Sequence, residues 1–156
     1  MRIFGPNVVS FTVKSGQKHW YVVRAYVPPN DFLEVQRITH VLACGPEGVG
    51  KLLVGDINAC LENPKEQSEE HLATVIAGHG LTDQARHSVP TRRYQVEGNW
   101  MWRMWREGKP ISVRGDYISG MTQQDFYNVG IREPIMPTDH RIVLGVLIGE
   151  GARRHR

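Results

Sequence analysis

Three short stretches carry the residue types that hydrolytic chemistry on a phosphate requires. Gly55-Asp56-Ile57-Asn58 closes a nearly unbroken apolar run from Lys51 to Gly55, so a carboxylate and a carboxamide arrive on one face at the end of a buried strand. A carboxylate there can hold a hard cation, and the amide can orient water or a phosphate oxygen. The same pair also serves as turn formers after a strand. Thr138-Asp139-His140-Arg141 lies between the breaker-rich stretch Pro134 to Pro137 and the apolar run that begins at Ile142, which puts an Asp-His pair at a strand's mouth. Arg114-Gly115-Asp116-Tyr117 places Asp116 inside an otherwise apolar and aromatic pattern, where a carboxylate needs a partner unless it faces outward. One partner of that kind is a histidine whose ring the carboxylate holds in position.

These residues depend on the elements that carry them. Apolar residues alternate through Val9, Phe11 and Val13 and resume from Trp20 to Val27 after Ser15-Gly16-Gln17-Lys18, the period of two expected of a hairpin. Pro28-Pro29 ends the second strand, and Asp31 with Glu34 three residues on opens a helix whose stripe is Phe32, Val35, Ile38, Val41 and Leu42. The run from Lys51 to Gly55 reads as a central strand. Asn63 as N-cap, Pro64 at the first position and Glu66 at the third predict a second helix with Leu72, Val75 and Ile76 on its face. Residues 84–97 read as a polar loop. Strands are then expected over Trp100 to Trp105, Ile111 to Ile118, Phe126 to Ile131 and Ile142 to Ile148, giving two helices among about seven strands, an α+β domain.

Composition bounds the rest. A chain of 156 residues, 40% apolar, supports one domain that hides about two thirds of its unfolded surface. A formal charge of +3 is too small to mark a nucleic-acid or membrane binder by itself. Two cysteines, Cys44 and Cys60, argue against a disulfide scaffold and for a reducing compartment. No apolar run reaches the ~20 residues that a membrane helix needs. The expectation is an intracellular protein, cytoplasmic or nuclear, with no membrane partner.

The order Ala25-Tyr26-Val27-Pro28, Gly55-Asp56-Ile57-Asn58, Arg114-Gly115-Asp116-Tyr117, Thr138-Asp139-His140-Arg141 resembles the endonuclease/exonuclease/phosphatase superfamily over nearly the whole chain. Gly-Pro-Asn-Val-Val-Ser-Phe, Tyr-Val-Pro-Pro and Asn-Trp-Met-Trp-Arg-Met-Trp look most like the endonuclease-like domains associated with retroelement reverse transcriptases. The resemblance implies a two-sheet α/β sandwich of mainly antiparallel strands with two main helices. It implies Asp56 as activator of the attacking water and Asn58 as the group positioning phosphate or water. Asp139 would stand near Mg2+ or Mn2+, His140 on a phosphate oxygen, Asp116 behind that imidazole, and the Tyr26 hydroxyl before the scissile phosphate. The implied activity is metal-dependent hydrolysis of nucleic acid, DNA before RNA.

The family's first half carries an Asn-containing strand and a strand ending in a metal-binding Glu, and neither has a counterpart here. The chain is therefore expected to be the C-terminal part of such a domain, residues 1–156 with a basic tail at 151–156, with little or no hydrolytic activity alone and prone to associate with itself or a reverse transcriptase through open sheet edges. A non-catalytic module that binds nucleic acid, or a phosphatase acting on small or lipid esters, are the competing functions. Trp100, Trp102 and Trp105 are expected in the core rather than stacked on bases, while Arg92, Arg93, Arg103, Arg106 and Lys109 form a candidate basic rim.

Overall fold

The structure, a computed structural model, describes residues 1–61, 64–84, 91, 94–96, 99–101, 103–106, 109–112, 116–121, 126–133 and 139–149. In chain order its elements are β1 (Arg2–Ile3), β2 (Val8–Ser15), β3 (Lys18–Tyr26), α1 (Phe32–Ala43), β4 (Gly50–Asp56), α2 (Gln67–Gly78) and β5 (Thr82–Asp83). There follow β6 (Tyr94–Val96), β7 (Asn99–Met101), β8 (Arg103–Arg106), β9 (Lys109–Ser112), β10 (Asp116–Gly120), β11 (Phe126–Arg132) and β12 (Ile142–Leu147).

The expected hairpin forms, β2 pairing antiparallel with β3 from Val8↔Ala25 to Ser15↔Lys18, with Gly16 in the turn at φ 59°. The Asp31 carboxylate accepts a hydrogen bond from the Glu34 N–H at 3.1 Å, satisfying one of the free amides that open α1. A parallel partner for β3 requires a crossover, and α1 supplies it, so that β4 lies beside β3 from Trp20↔Gly50 to Tyr26↔Asp56. The far edge of β4 pairs antiparallel with β10, giving a six-stranded mixed sheet in the order β1-β2-β3-β4-β10-β5.

Alternation sends successive residues of this sheet into two different environments. Tyr21, Val23, Ala25 and Leu53 join Val35, Ile38, Val41 and Leu42 of α1 and Leu72 of α2 in the main core. The Tyr21 hydroxyl donates to the Val41 carbonyl at 2.9 Å, pinning α1 to the sheet. On the opposite face Trp20, Val22 and Leu52 form a smaller cluster against which Leu147 of β12 packs. There β11 and β12 make a second, two-stranded sheet whose register shifts between Tyr127 and Gly130. The result is a layered α+β architecture, with helices on one face of the large sheet and a smaller sheet on the other.

Three local expectations change. The second helix begins at Gln67 rather than near Pro64, because the buried Glu69 carboxylate accepts from the N–H groups of Cys60, Lys65 and Glu66 at 3.1, 2.8 and 3.2 Å. Cys60, Lys65 and Glu66 therefore turn their amides to Glu69 instead of continuing the helix; the proposed cap Asn63 lies outside the described residues. The single strand expected over Trp100 to Trp105 is divided, β7 pairing with β6 and β8 with β9 in separate ribbons. The stretch 84–97, expected as a loop, includes β6 and the buried Gln84, whose N–H donates to the Ile118 carbonyl at 2.8 Å. Trp102, Arg92 and Arg93 lie outside the described residues, as does the basic tail 151–156.

Candidate active site

The site grows from the end of β4. Gly55 holds φ at 138°, and a Cβ there would sit 1.9 Å from the Ala25 carbonyl oxygen, so only glycine lets β3 and β4 approach this closely. The next residue, Asp56, stands in one cross-strand row with Tyr26 on β3 and Asp116 on β10. Its carboxylate Oδ1 accepts from the Asn58 N–H at 3.1 Å, a local turn closed by an Asp side chain. Asn58 takes φ 43°, in the left-handed region that asparagine tolerates, and its Nδ2 donates to the Val27 carbonyl at 2.9 Å. The Val27 N–H in turn donates to the Asp56 carbonyl at 2.9 Å. Asn58 thereby fixes the Asp56 turn to the end of β3. Below it, the buried Tyr117 hydroxyl donates to the Ala59 carbonyl at 3.2 Å and accepts from the Leu61 N–H at 3.4 Å.

Asp116 begins β10, and its Oδ2 lies 2.9 Å from His140 Nδ1. A carboxylate only accepts, so Nδ1 carries the proton and donates. The other ring nitrogen, Nε2, stands 3.9 Å from Asp56 Oδ2 and 3.8 Å from Asp139 Oδ1, within ion-pair reach and beyond a direct hydrogen bond. Four of the six residues expected from the sequence, Asp56, Asp116, Asp139 and His140, thus meet around one imidazole. Asn58 reaches the group through its N–H on Asp56. Tyr26, 42% exposed, shares the cross-strand row of Asp56.

Donor atoms of Asp56, Asp116 and His140 all lie within 4.8 Å of one another, and no glutamate among the described residues joins them. Carboxylate oxygens suit Mg2+ or Mn2+, which need only one or two protein carboxylates when water and phosphate complete the shell. Asp116 is engaged by the imidazole, which leaves Asp56 and Asp139 as the oxygen donors turned toward Nε2. The donor set therefore fits a divalent cation. A cleft of about 350 Å³ opens beside it, lined by Asp56, Asp116 and Arg141 together with Val54, Ile118 and Val143.

Sequence reasoning overlooked two groups here. Tyr117 carried a signal, since alternation turns it away from Asp116 and under the loop that follows Asn58. Thr91 carried none: it is fully buried, accepts from the Asp116 N–H on Oγ1 at 3.2 Å and from the Arg141 N–H on its carbonyl at 2.7 Å. Arg141 also donates through Nε to Glu133 at 2.7 Å.

No protein-family model matches the chain, and neither does any curated protein. Solved structures do. The endonuclease domain of TRAS1, a telomere-specific non-LTR retrotransposon, superposes with a TM-score of 0.64 at 19% identity over 90% of this chain. An endonuclease/exonuclease/phosphatase family protein from Leptotrichia buccalis gives 0.63 at 16% identity over 90%, and one from Beutenbergia cavernae gives 0.58 at 18% over 91%. The chain spans 63%, 53% and 39% of the lengths of these three structures. At such identities it is the fold that is shared: this chain has the fold of the endonuclease/exonuclease/phosphatase proteins.

Proposed function

We propose that the chain is a divalent-metal-dependent phosphodiesterase that cuts DNA. The observation that carries this reading is the imidazole of His140 held by Asp116 at 2.9 Å on one nitrogen and faced by Asp56 and Asp139 at 3.9 and 3.8 Å on the other. The choice of DNA leans on the likeness to a retrotransposon endonuclease domain.

Asp56 takes the proton of the attacking water as its oxygen closes on phosphorus, the P–O bond to the leaving sugar oxygen breaks, and that oxygen takes a proton from solvent water. His140, carrying a proton on each ring nitrogen, donates its Nε2–H to a non-bridging oxygen, with Asp116 fixing the ring through Nδ1. Asn58 keeps Asp56 oriented, and the Tyr26 hydroxyl contacts the phosphate. Asp139 with Asp56 would hold Mg2+ or Mn2+, and the ion would supply charge neutralisation on the phosphate when bound. The experiment is a supercoiled-plasmid nicking assay with Mg2+ or Mn2+ against a chelator control. Slow metal-dependent relaxation, lost in Asp56→Asn and in His140→Ala, is expected. A wild-type chain that leaves the plasmid intact, or variants that nick as fast as wild type, would overturn the proposal.

A further inference from the structure

Both segments that present the Asp116-His140 pair are tied to one residue from a third part of the chain. Thr91 Oγ1 accepts from the Asp116 N–H at 3.2 Å, and the Thr91 carbonyl accepts from the Arg141 N–H at 2.7 Å. Asp116 and His140 then close the ring side chain to side chain at 2.9 Å. Three hydrogen bonds around one circuit leave the imidazole no freedom to swing unless one of them breaks. A threonine at 0% exposure needs its hydroxyl satisfied, and here the bond it accepts falls on the backbone of the carboxylate that holds the ring.

We infer that Thr91 is a positioning residue for His140: its hydroxyl sets the place of Asp116, its carbonyl sets the place of the His140-Arg141 peptide, and together they hold Nε2 toward Asp56 and Asp139. The inference rests on the phosphodiesterase reading only for what the imidazole acts upon. Packing alone does not account for the arrangement, because valine fills the same space as threonine and lacks the hydroxyl that accepts from the Asp116 N–H.

The test uses the whole chain and three readouts. In wild type, amide hydrogen exchange followed by NMR should show the Asp116 and Arg141 N–H groups protected. At one fixed pH, the His140 Nδ1-bound proton should give a resolved resonance that Thr91→Ser keeps and Thr91→Val loses. Plasmid nicking should fall about 10- to 100-fold in Thr91→Val while Thr91→Ser stays near wild type. Unprotected amides in wild type overturn the assignment even if the valine variant fails to fold. So does a folded Thr91→Val that keeps the Nδ1 proton resonance. Absence of nicking in wild type, with the exchange and resonance results as expected, would retire the phosphodiesterase reading and leave the role of Thr91 standing.

Discussion

Asp56 and Asn58 form one side of the site and Asp116 and His140 the other, and the two sides are held by different kinds of bond. On the first side the constraints are a local turn, Asp56 closed on the Asn58 N–H two positions on, and a bond from Asn58 Nδ2 to the Val27 carbonyl, 31 positions away, that joins the ends of strands already paired along their length. On the second they lie outside the strand ladders. His140 finds Asp116 across 24 positions and Asp116 finds Thr91 across 25, with no short-range motif at either join. A local turn re-forms whenever its strand forms. A circuit of distant bonds exists only when every participating segment is in place, so chemistry on the second side should be more easily lost without loss of the fold.

Asp116→Asn attacks the remote side most directly. Its amide can offer an N–H where the imidazole needs an acceptor, and nicking should drop about 10³- to 10⁴-fold. Circular dichroism and the melting temperature should stay near wild type, since Asp116 is only half-buried. Loss of folded signal instead would abolish the contrast between the two sides.

Gly55→Ala attacks the local side. A methyl 1.9 Å from a backbone oxygen, at φ 138°, has nowhere to go, and denaturant melts should show roughly 3 kcal/mol of stability lost. Here fold and activity should fail together. An alanine variant as stable as wild type would mean that β3 and β4 are not this close.

Asn58 sharpens the same side. Asn58→Ala removes the bond to the Val27 carbonyl and leaves a residue with little tolerance for φ 43°, at about 1–2 kcal/mol. Asn58→Gly restores the backbone freedom alone, so its melt should fall between alanine and wild type. Equal melts for the two would assign the whole effect to the side chain.

The smallest effect serves as a control at the other end of β4. Burial, and then the neighbouring Lys51 ammonium, hold the His79 pKa below its usual 6.5, and Lys51 Nζ lies 3.3 Å from His79 Nδ1. The neutral ring's contribution to stability is thus present above pH 6.5 and lost as pH falls through the lower folded value. Because His79 is partly solvated, His79→Gln should remove a melting-temperature change of about a degree or less between pH 7 and pH 5. Magnesium-dependent nicking measured at one pH should not notice the substitution.

Legibility from sequence follows the same division. The hairpin around Gly16, the Asp31 cap and the buried run into Asp56 are local patterns, and periodicity with turn chemistry suffices to place them. The ordered motifs identified Asp116, Asp139 and His140, and the resemblance implied that they meet; no local window shows it, because it depends on which strand β10 joins. The start of α2 was misplaced because Asn63-Pro64 is a sound helix opening by local rules; the Glu69 carboxylate overrides it by drawing three backbone amides from the preceding segment. Thr91 was invisible for a related reason. Its importance lies in which amides it meets, and a threonine beside a proline announces nothing of the kind.

The place of β10 between β4 and β5 has a consequence during synthesis. β1 to β4 and both helices leave the ribosome before the strand that completes the sheet's interior, so the outer edge of β4 waits unpaired. At roughly 5–20 residues per second the wait lasts several seconds. For that interval Leu52, Leu53 and Val54 form an apolar edge open to other nascent chains, and the charges that bracket it, Lys51 and Asp56, are its guard against mispairing. Asp56 would then serve the protein twice, first as a gatekeeper of an unfinished sheet and later at the cleft.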